Sequence, residues 1–218
     1  MTLPAWRRGG RLPQRNLRWL AAGLAGVAAL ALVAVVAWPR EAAPTGDWPP
    51  SVEVIPAGER RALPDWRGED VVASRGQVDL AAWRGRPLVL NFWASWCGPC
   101  RSEQRGLERA SAALAPAGVR FVGVNVRDDR AAAAAYVAEF QVGYPSLFDQ
   151  PGDFVQALGA DAPPAPPTTL VVDADGRIAA RVLGVLPGGS DPAAQAAELA
   201  RLVEATTGAR APAAGAAP

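Results

Sequence analysis

The two cysteines of this 218-residue chain, Cys97 and Cys100, lie where an apolar strand is predicted to run into a helix. Residues 87–93 form a nearly continuous apolar run with β-branched and aromatic side chains, which is typical of a strand buried on both faces. Beyond Pro99, apolar and small residues recur at helical spacing as far as Leu114. The cysteine pair therefore occupies a strand-to-helix junction, which limits both the fold and the chemistry open to the chain.

The composition narrows the chemistry of this pair to redox exchange. A Cys-x-x-Cys motif can supply half of a zinc site, but zinc needs four ligands, usually cysteine or histidine, and the chain has no other cysteine and no histidine. The missing histidine also argues against a haem held by imidazole and against a Cys-His hydrolase. The remaining interpretation is a dithiol that cycles to a disulfide and needs no metal or organic cofactor.

The positions of the two thiols predict their roles. Cys97 is expected at the helix N-terminus, where unpaired backbone N–H groups and the helix dipole favour an anion. We therefore predict that Cys97 ionises near neutral pH and attacks, and that Cys100, one turn into the helix, is the resolving thiol. Pro99 near the helix start costs little, because its missing N–H would have no intrahelical partner.

Four ordered segments resemble the thioredoxin superfamily, and within it the membrane-tethered TlpA/ResA-like thiol-disulfide oxidoreductases. The resemblance covers about residues 63–207, through Asn91-Phe92-Trp93-Ala94-Ser95-Trp96-Cys97-Gly98-Pro99-Cys100, Val122-Gly123-Val124-Asn125, Gly143-Tyr144-Pro145-Ser146 and Pro167-Thr168-Thr169-Leu170-Val171-Val172-Asp173. It implies an α/β thioredoxin-like fold, with a central mixed sheet flanked by helices, an N-terminal hairpin near residues 71–78 and a central helical insertion. The alternative is a buried structural disulfide in an unrelated domain.

The resemblance assigns the proton of the resolving thiol to Glu103. Asn91 stands where cytosolic thioredoxins carry a buried aspartate, and an amide cannot take a proton from Cys100. Glu103 lies three residues after Cys100, on the same side of the helix and at the edge of the core-facing stripe. ResA-like proteins carry a functional glutamate at this position. From spacing alone, a solvated surface glutamate such as Glu108 is an equal alternative.

The resemblance also predicts a substrate-binding surface that includes Trp96, Pro166 and Pro167. Pro167 resembles the cis-proline that stands opposite the dithiol in this fold and helps to dock an extended substrate. The alternative for residues 162–167 is a stiff polyproline linker, but a predicted strand at residues 168–172 favours the cis-proline. Pro166 departs from the family pattern, because a proline has no N–H to donate to a docked substrate.

The N-terminal residues predict a membrane anchor. Several arginines precede residues 20–37, which carry no charge and are flanked by Trp19 and Trp38. At about 1.5 Å per residue this run matches the hydrocarbon thickness, and tryptophans suit the two interfaces. The positive-inside rule places residues 1–18 in the cytoplasm, a transmembrane helix at residues 19–38 and the rest outside. The alternative is a signal peptide that is cleaved near Ala37.

Charge divides the chain at the end of this segment. Residues 1–40 hold six arginines and no acidic residue, whereas residues 41–218 hold sixteen arginines and 21 acidic residues. The exported part shows no basic patch, which argues against nucleic acid as a partner. The expected layout is a Pro-rich tether at residues 39–63, a thioredoxin-like domain at residues 64–207 and a disordered tail at residues 208–218.

Together these features predict a monomeric, membrane-anchored, extracytoplasmic thiol-disulfide oxidoreductase. The resemblance implies that it reduces cysteines of exported proteins, with apocytochromes c as the leading substrates and a membrane thiol carrier as electron donor. The motif itself leaves the direction of electron flow open. The alternatives are an oxidant or isomerase of secreted disulfides, and a tethered binding module whose disulfide is structural.

Overall fold

A computed structural model describes residues 46–211, which contain one six-stranded mixed sheet. The strands are β1 (Val52–Val54), β2 (Arg67–Glu69), β3 (Gln77–Asp79), β4 (Leu88–Trp93), β5 (Arg120–Val126), β6 (Ser146–Asp149), β7 (Thr168–Val172) and β8 (Ile178–Leu183), and the helices are α1 (Gly98–Leu114), α2 (Arg130–Phe140), α3 (Asp153–Ala157) and α4 (Pro192–Thr207). The strand order is β1-β8-β7-β4-β5-β6. β4, β5 and β6 run parallel, whereas β7 pairs antiparallel with β4, β8 with β7, and β1 with β8.

The central strand β4 is buried along its whole length, because helices and loops cover both faces of the sheet. On one face, α1, α2 and α4 pack over a cluster that includes Trp93 and Leu107. On the other face, α3 and the segment before β4 pack over a cluster that includes Phe92 and Phe154. A nearly continuous apolar strand is the sequence pattern that such two-sided burial requires. The predicted thioredoxin-like α/β fold is confirmed.

The predicted N-terminal hairpin is present, but its strands lie outside the predicted bounds. β2 and β3 pair antiparallel, with Gly68 opposite Val78. The sequence predicted a hairpin over residues 71–78, whereas residues 70–76 connect the two strands. The apolar pattern was misleading because Val71 is buried in the main core instead of pairing within the hairpin.

The predicted tether at residues 39–63 is wrong in its second half, because β1 belongs to the sheet. Val52–Val54 pair antiparallel with residues 180–182 of β8. Val52 and Leu63 are both buried. The proline-rich composition concealed a three-residue strand whose valines cover the edge of β8. The folded domain therefore starts before residue 52 and not at residue 64.

Both chain ends extend beyond the described residues. The predicted cytoplasmic segment, residues 1–18, and the predicted transmembrane segment, residues 19–38, lie outside them. Within residues 46–211, no helix combines the length and the apolar character that crossing a membrane requires. The tail predicted from residue 208 is partly ordered, because Arg210 pairs with Glu204 and Ala209 packs against the core. Residues 212–218 also lie outside the described part.

The outer edge of β6 is occupied by the segment that follows β2. Asp70 forms an antiparallel bridge with Leu147. The buried Asp70 carboxylate accepts the backbone N–H groups of Ser146 at 3.0 Å and of Val72 at 2.8 Å. The Ser146 carbonyl in turn accepts the N–H of Val71 at 2.7 Å. The backbone groups at the start of this edge strand are thus satisfied within the chain.

Candidate active site

The cysteine pair lies at the start of α1 and is joined as a disulfide. Cys97 immediately precedes the first helical residue, and its Sγ accepts the backbone N–H of Cys100 at 3.2 Å. Both cysteines are almost fully buried. The structure confirms the predicted strand-to-helix placement, which sets Cys97 beside the free N–H groups of the helix start. The role of Cys97 as the attacking thiol stays a prediction.

Glu103 lies one helical turn beyond Cys100 and has no exposed surface. Its Oε1 accepts a hydrogen bond from Asn91 Nδ2 at 2.9 Å, and its Oε2 accepts the backbone N–H of Leu186 at 2.8 Å. Burial raises the pKa of Glu103 to about 7, and the two hydrogen bonds oppose this shift only in part. The carboxyl group can therefore exchange a proton at neutral pH. Its burial contradicts the alternative of a solvated surface glutamate.

Asn91 holds Glu103 in place and links it to β7. The Asn91 Nδ2 group also donates to Thr169 Oγ1 at 3.1 Å, and the two residues are register partners on β4 and β7. Sequence reasoning treated Asn91 only as a group that cannot accept the proton of Cys100. In the structure, the Asn91 amide instead orients the Glu103 carboxyl group, which can accept a proton. It does so through hydrogen bonds in the buried centre of the sheet.

The Pro166–Pro167 peptide is cis, as the resemblance predicted. β7 starts directly after it, with Thr168 opposite Phe92 of β4. Because β4 leads into the cysteine motif, Pro167 lies at the same end of the sheet as the disulfide. The Pro167 carbonyl accepts the N–H of Gly184 at 2.9 Å. The alternative of a polyproline linker is therefore wrong.

Trp96 and Leu183 are the large apolar side chains that the described residues leave exposed, at 61% and 42% of their surface. Trp96 directly precedes Cys97, and its Nε1 donates to the Arg127 carbonyl at 3.0 Å. Leu183 ends β8 opposite Thr168, the residue after the cis peptide bond. Exposed apolar side chains thus lie at the redox end of the sheet, where an extended polypeptide can contact them.

Tyr136 of α2 supports the first turn of α1. Its hydroxyl lies 3.1 Å from the Cys100 carbonyl and 3.3 Å from Gln104 Oε1, so it can donate to either. The ring stacks on Trp93 with 4.5 Å between centroids. Burial raises the pKa of Tyr136, so the phenol stays protonated and remains a donor.

Comparisons with known proteins agree with this geometry. The redoxin family model matches residues 56–198. The chain belongs to the redoxin family. It is 33% identical over 159 residues to the thiol:disulfide interchange protein DsbE of Vibrio cholerae, which covers 72% of this chain and 82% of that protein. It is 23% identical over 108 residues to the thiol-disulfide oxidoreductase ResA of Bacillus thuringiensis, which covers 50% of this chain and 61% of that one.

The solved structure of a DsbF homologue from Corynebacterium diphtheriae is similar to this redoxin, with a TM-score of 0.63 and 30% sequence identity. The similarity covers 73% of this chain and 96% of that structure. Together with the cysteine geometry, these likenesses make this redoxin a protein thiol-disulfide oxidoreductase of the thioredoxin superfamily. Exchange at such a site proceeds through a mixed disulfide, in which a thiolate attacks one sulfur and displaces the other.

Three residues of the site were absent from the predicted set, and two of them carry a signal in the sequence. Thr169 is the second residue after the predicted cis-proline, in register with a polar residue of an otherwise apolar strand. Tyr136 is the first aromatic residue in an alanine-rich helix. Leu186 contributes its backbone N–H, which no side-chain pattern can reveal.

Proposed function

We propose that this redoxin is an extracytoplasmic reductant of protein disulfides. The observation that carries the proposal is the fully buried Glu103, which lies one helical turn from Cys100 and whose pKa is raised to about 7. A carboxyl group with this pKa is partly ionised at neutral pH, so its carboxylate can accept a thiol proton and becomes neutral within the buried site. The reducing direction rests on the likeness to ResA-like oxidoreductases.

The reaction needs only the two thiols and this carboxyl group. The Cys97 thiolate attacks one sulfur of the substrate disulfide, and the other sulfur leaves as a thiolate that takes up a proton. Glu103 accepts the proton of Cys100, whose thiolate then attacks Cys97 Sγ and breaks the mixed disulfide. The second substrate thiol leaves, and two electrons have moved from the dithiol to the substrate. The product is the Cys97–Cys100 disulfide present in the structure.

Substrates are extended protein segments that carry a disulfide. We expect them to contact Trp96 and Leu183 and to lie along Pro166 and Pro167, neither of which has a backbone N–H to donate to the substrate. The resemblance to the ResA-like family supports apocytochromes c as the leading substrates and a membrane thiol carrier as the donor that regenerates the dithiol.

The proposed location follows from the N-terminal residues. An uncleaved anchor at residues 19–38, with the arginines inside, puts the redox domain on the extracytoplasmic side. Protease added to intact spheroplasts should then remove the domain. Protection of the domain, or a mature N-terminus near Trp38, contradicts the anchor.

The reduction potential of the full-length protein tests the direction of electron flow. A value near that of thioredoxin, about −270 mV, supports a reductant, whereas a value near that of DsbA, about −120 mV, supports the alternative of an oxidant or isomerase. The measurement is equilibration with glutathione or dithiothreitol buffers, with thiols trapped and separated by mass. A disulfide that resists these buffers and does not exchange supports the alternative of a binding module.

A further inference from the structure

A cluster of hydrogen bonds outside the dithiol fixes the chain just before Cys97. Both carboxylate oxygens of Asp128, in the connection from β5 to α2, accept two hydrogen bonds each. Oδ2 accepts the Ser95 backbone N–H at 2.6 Å and Asn125 Nδ2 at 2.8 Å. Oδ1 accepts the Ser95 hydroxyl at 2.7 Å and the Asp129 backbone N–H at 2.9 Å. Two of these four bonds come from a residue only two positions before Cys97.

Arg127, the residue before Asp128, binds Trp96, the residue after Ser95. Arg127 adopts a left-handed backbone conformation with a φ of 49°, and its carbonyl accepts the indole N–H of Trp96 at 3.0 Å. Left-handed backbone is uncommon for residues other than glycine and persists where surrounding contacts hold it. Trp96 is otherwise 61% exposed, so this bond restricts an indole that has little packing. Arg127 and Asp128 thus bind the two residues that directly precede Cys97, Trp96 and Ser95.

We propose that Asp128 is a positioning residue for thiol-disulfide exchange: by binding Ser95, it holds the segment that sets the position of Cys97 Sγ for attack. The proposal rests on the exchange activity at Cys97. Attack at sulfur depends on approach geometry, and a misplacement of about 1 Å can cost about 100-fold in rate. A carboxylate that binds the backbone and the side chain of one residue restrains that residue more than a single bond does.

Asp128 can affect Cys97 in two ways, by holding it in position and by its negative charge, and the two effects on the exchange rate can be measured separately. A negative charge near Cys97 disfavours its thiolate, so removing the charge alone should lower the pH at which Cys97 ionises and speed exchange at neutral pH. Losing the restraint should instead slow the attack by a thiolate that is already formed. The two effects have opposite signs.

The test measures the reaction of reduced full-length protein with DTNB, a small aromatic disulfide, in a Cys100→Ala background so that only Cys97 reacts. The rate profile from pH 5 to 10 gives a midpoint and a plateau for the fully ionised thiol. For Asp128→Asn, we expect the plateau to fall on the order of 10-fold, a fraction of the loss for a misplacement of about 1 Å. Ser95→Ala should lower the plateau less, and Ser95→Thr, which keeps the hydroxyl, should restore it.

Asp129→Asn is the matched control, because it removes the same charge one residue away. Asp129 caps α2 through the N–H of Ala132 at 3.0 Å, a role that asparagine also fills, and its side chain makes no hydrogen bond to residues 95–97. We expect its plateau to match that of the Cys100→Ala parent. Equal plateaus in Asp128→Asn and the parent, or an equal fall in Asp129→Asn, overturn the positioning role. If the parent itself does not react with DTNB, the exchange function fails instead.

Discussion

Replacing Glu103 with glutamine should change how the stability of the oxidised protein depends on pH. The pKa of Glu103 is raised from an ordinary value of 4.5 to about 7, so the folded protein keeps this proton over a range in which the unfolded chain has lost it. Stability from this group is complete below pH 4.5 and is lost as the pH rises through 7. At about 1.4 kcal/mol for each pKa unit, the loss is about 3 kcal/mol.

Glutamine should fit the site as a neutral mimic of the protonated acid. Its oxygen can accept the Leu186 N–H, and its amide can donate to Asn91 once the Asn91 side chain turns its oxygen inward. Thr169 Oγ1, which now accepts from Asn91, can then donate to that oxygen through its own proton. The substitution therefore removes the ionisable group and nearly preserves the size of the side chain, and any cost of rearranging these hydrogen bonds is the same at every pH.

The assay is urea unfolding of the oxidised wild-type and Glu103→Gln proteins between pH 4.5 and 8. We expect the stability of the glutamine variant relative to wild type to rise by about 3 kcal/mol between pH 4.5 and pH 8. The exposed Glu59→Gln substitution is the control for loss of a carboxylate as such, and its difference from wild type should stay constant. A Glu103→Gln difference that is the same at both pH values refutes the reasoning.

Three further predictions concern the redox site. In Cys100→Ala, mixed disulfides with substrates should accumulate, whereas in Cys97→Ala they should be absent on non-reducing gels; trapping through Cys100 would reverse the assigned roles. Asn91→Asp places a second carboxyl group against Glu103, where the Asn91 Nδ2–Glu103 Oε1 distance is now 2.9 Å, so the pair should share one proton and the pH midpoint of exchange should move upward; an unmoved midpoint contradicts this. Tyr136→Phe removes the phenol donor of the Cys100 carbonyl, which keeps its donor within the helix, and should cost about 0.5–1.5 kcal/mol in urea unfolding while exchange persists; unchanged stability would show that this bond contributes nothing.

Much of the redox end of the molecule could be predicted because its signals are local. The apolar run of β4, the proline after Cys97 and the helical spacing of α1 all lie within about thirty residues of one another. The cis peptide bond before Pro167 was implied by the family resemblance, and the strand pattern directly after that proline favoured it over a polyproline linker. These features depend on backbone preferences that a short segment expresses by itself.

The features that the sequence did not reveal depend on partners far away in the chain. β1 is a strand only because β8 offers an edge more than 120 residues later, and its own composition is that of a linker. The burial of Glu103 was undecided from spacing, since the residue lies at the margin of the apolar stripe of α1. Glu103 is buried because the loop that follows β8 covers it, and the Leu186 N–H of that loop binds its carboxylate.

The hydrogen bonds that Asp70 makes along β6 have a consequence for a protein that exchanges disulfides with other proteins. An extended substrate segment carries free backbone donors and acceptors, and an open strand edge invites it to add to the sheet. The Asp70 carboxylate and the Val71 N–H already occupy the backbone groups of Ser146 on that edge. A substrate chain therefore finds the backbone groups of Ser146 already bonded, and Trp96 and Leu183 are the exposed apolar side chains that it can contact at the redox end of the sheet.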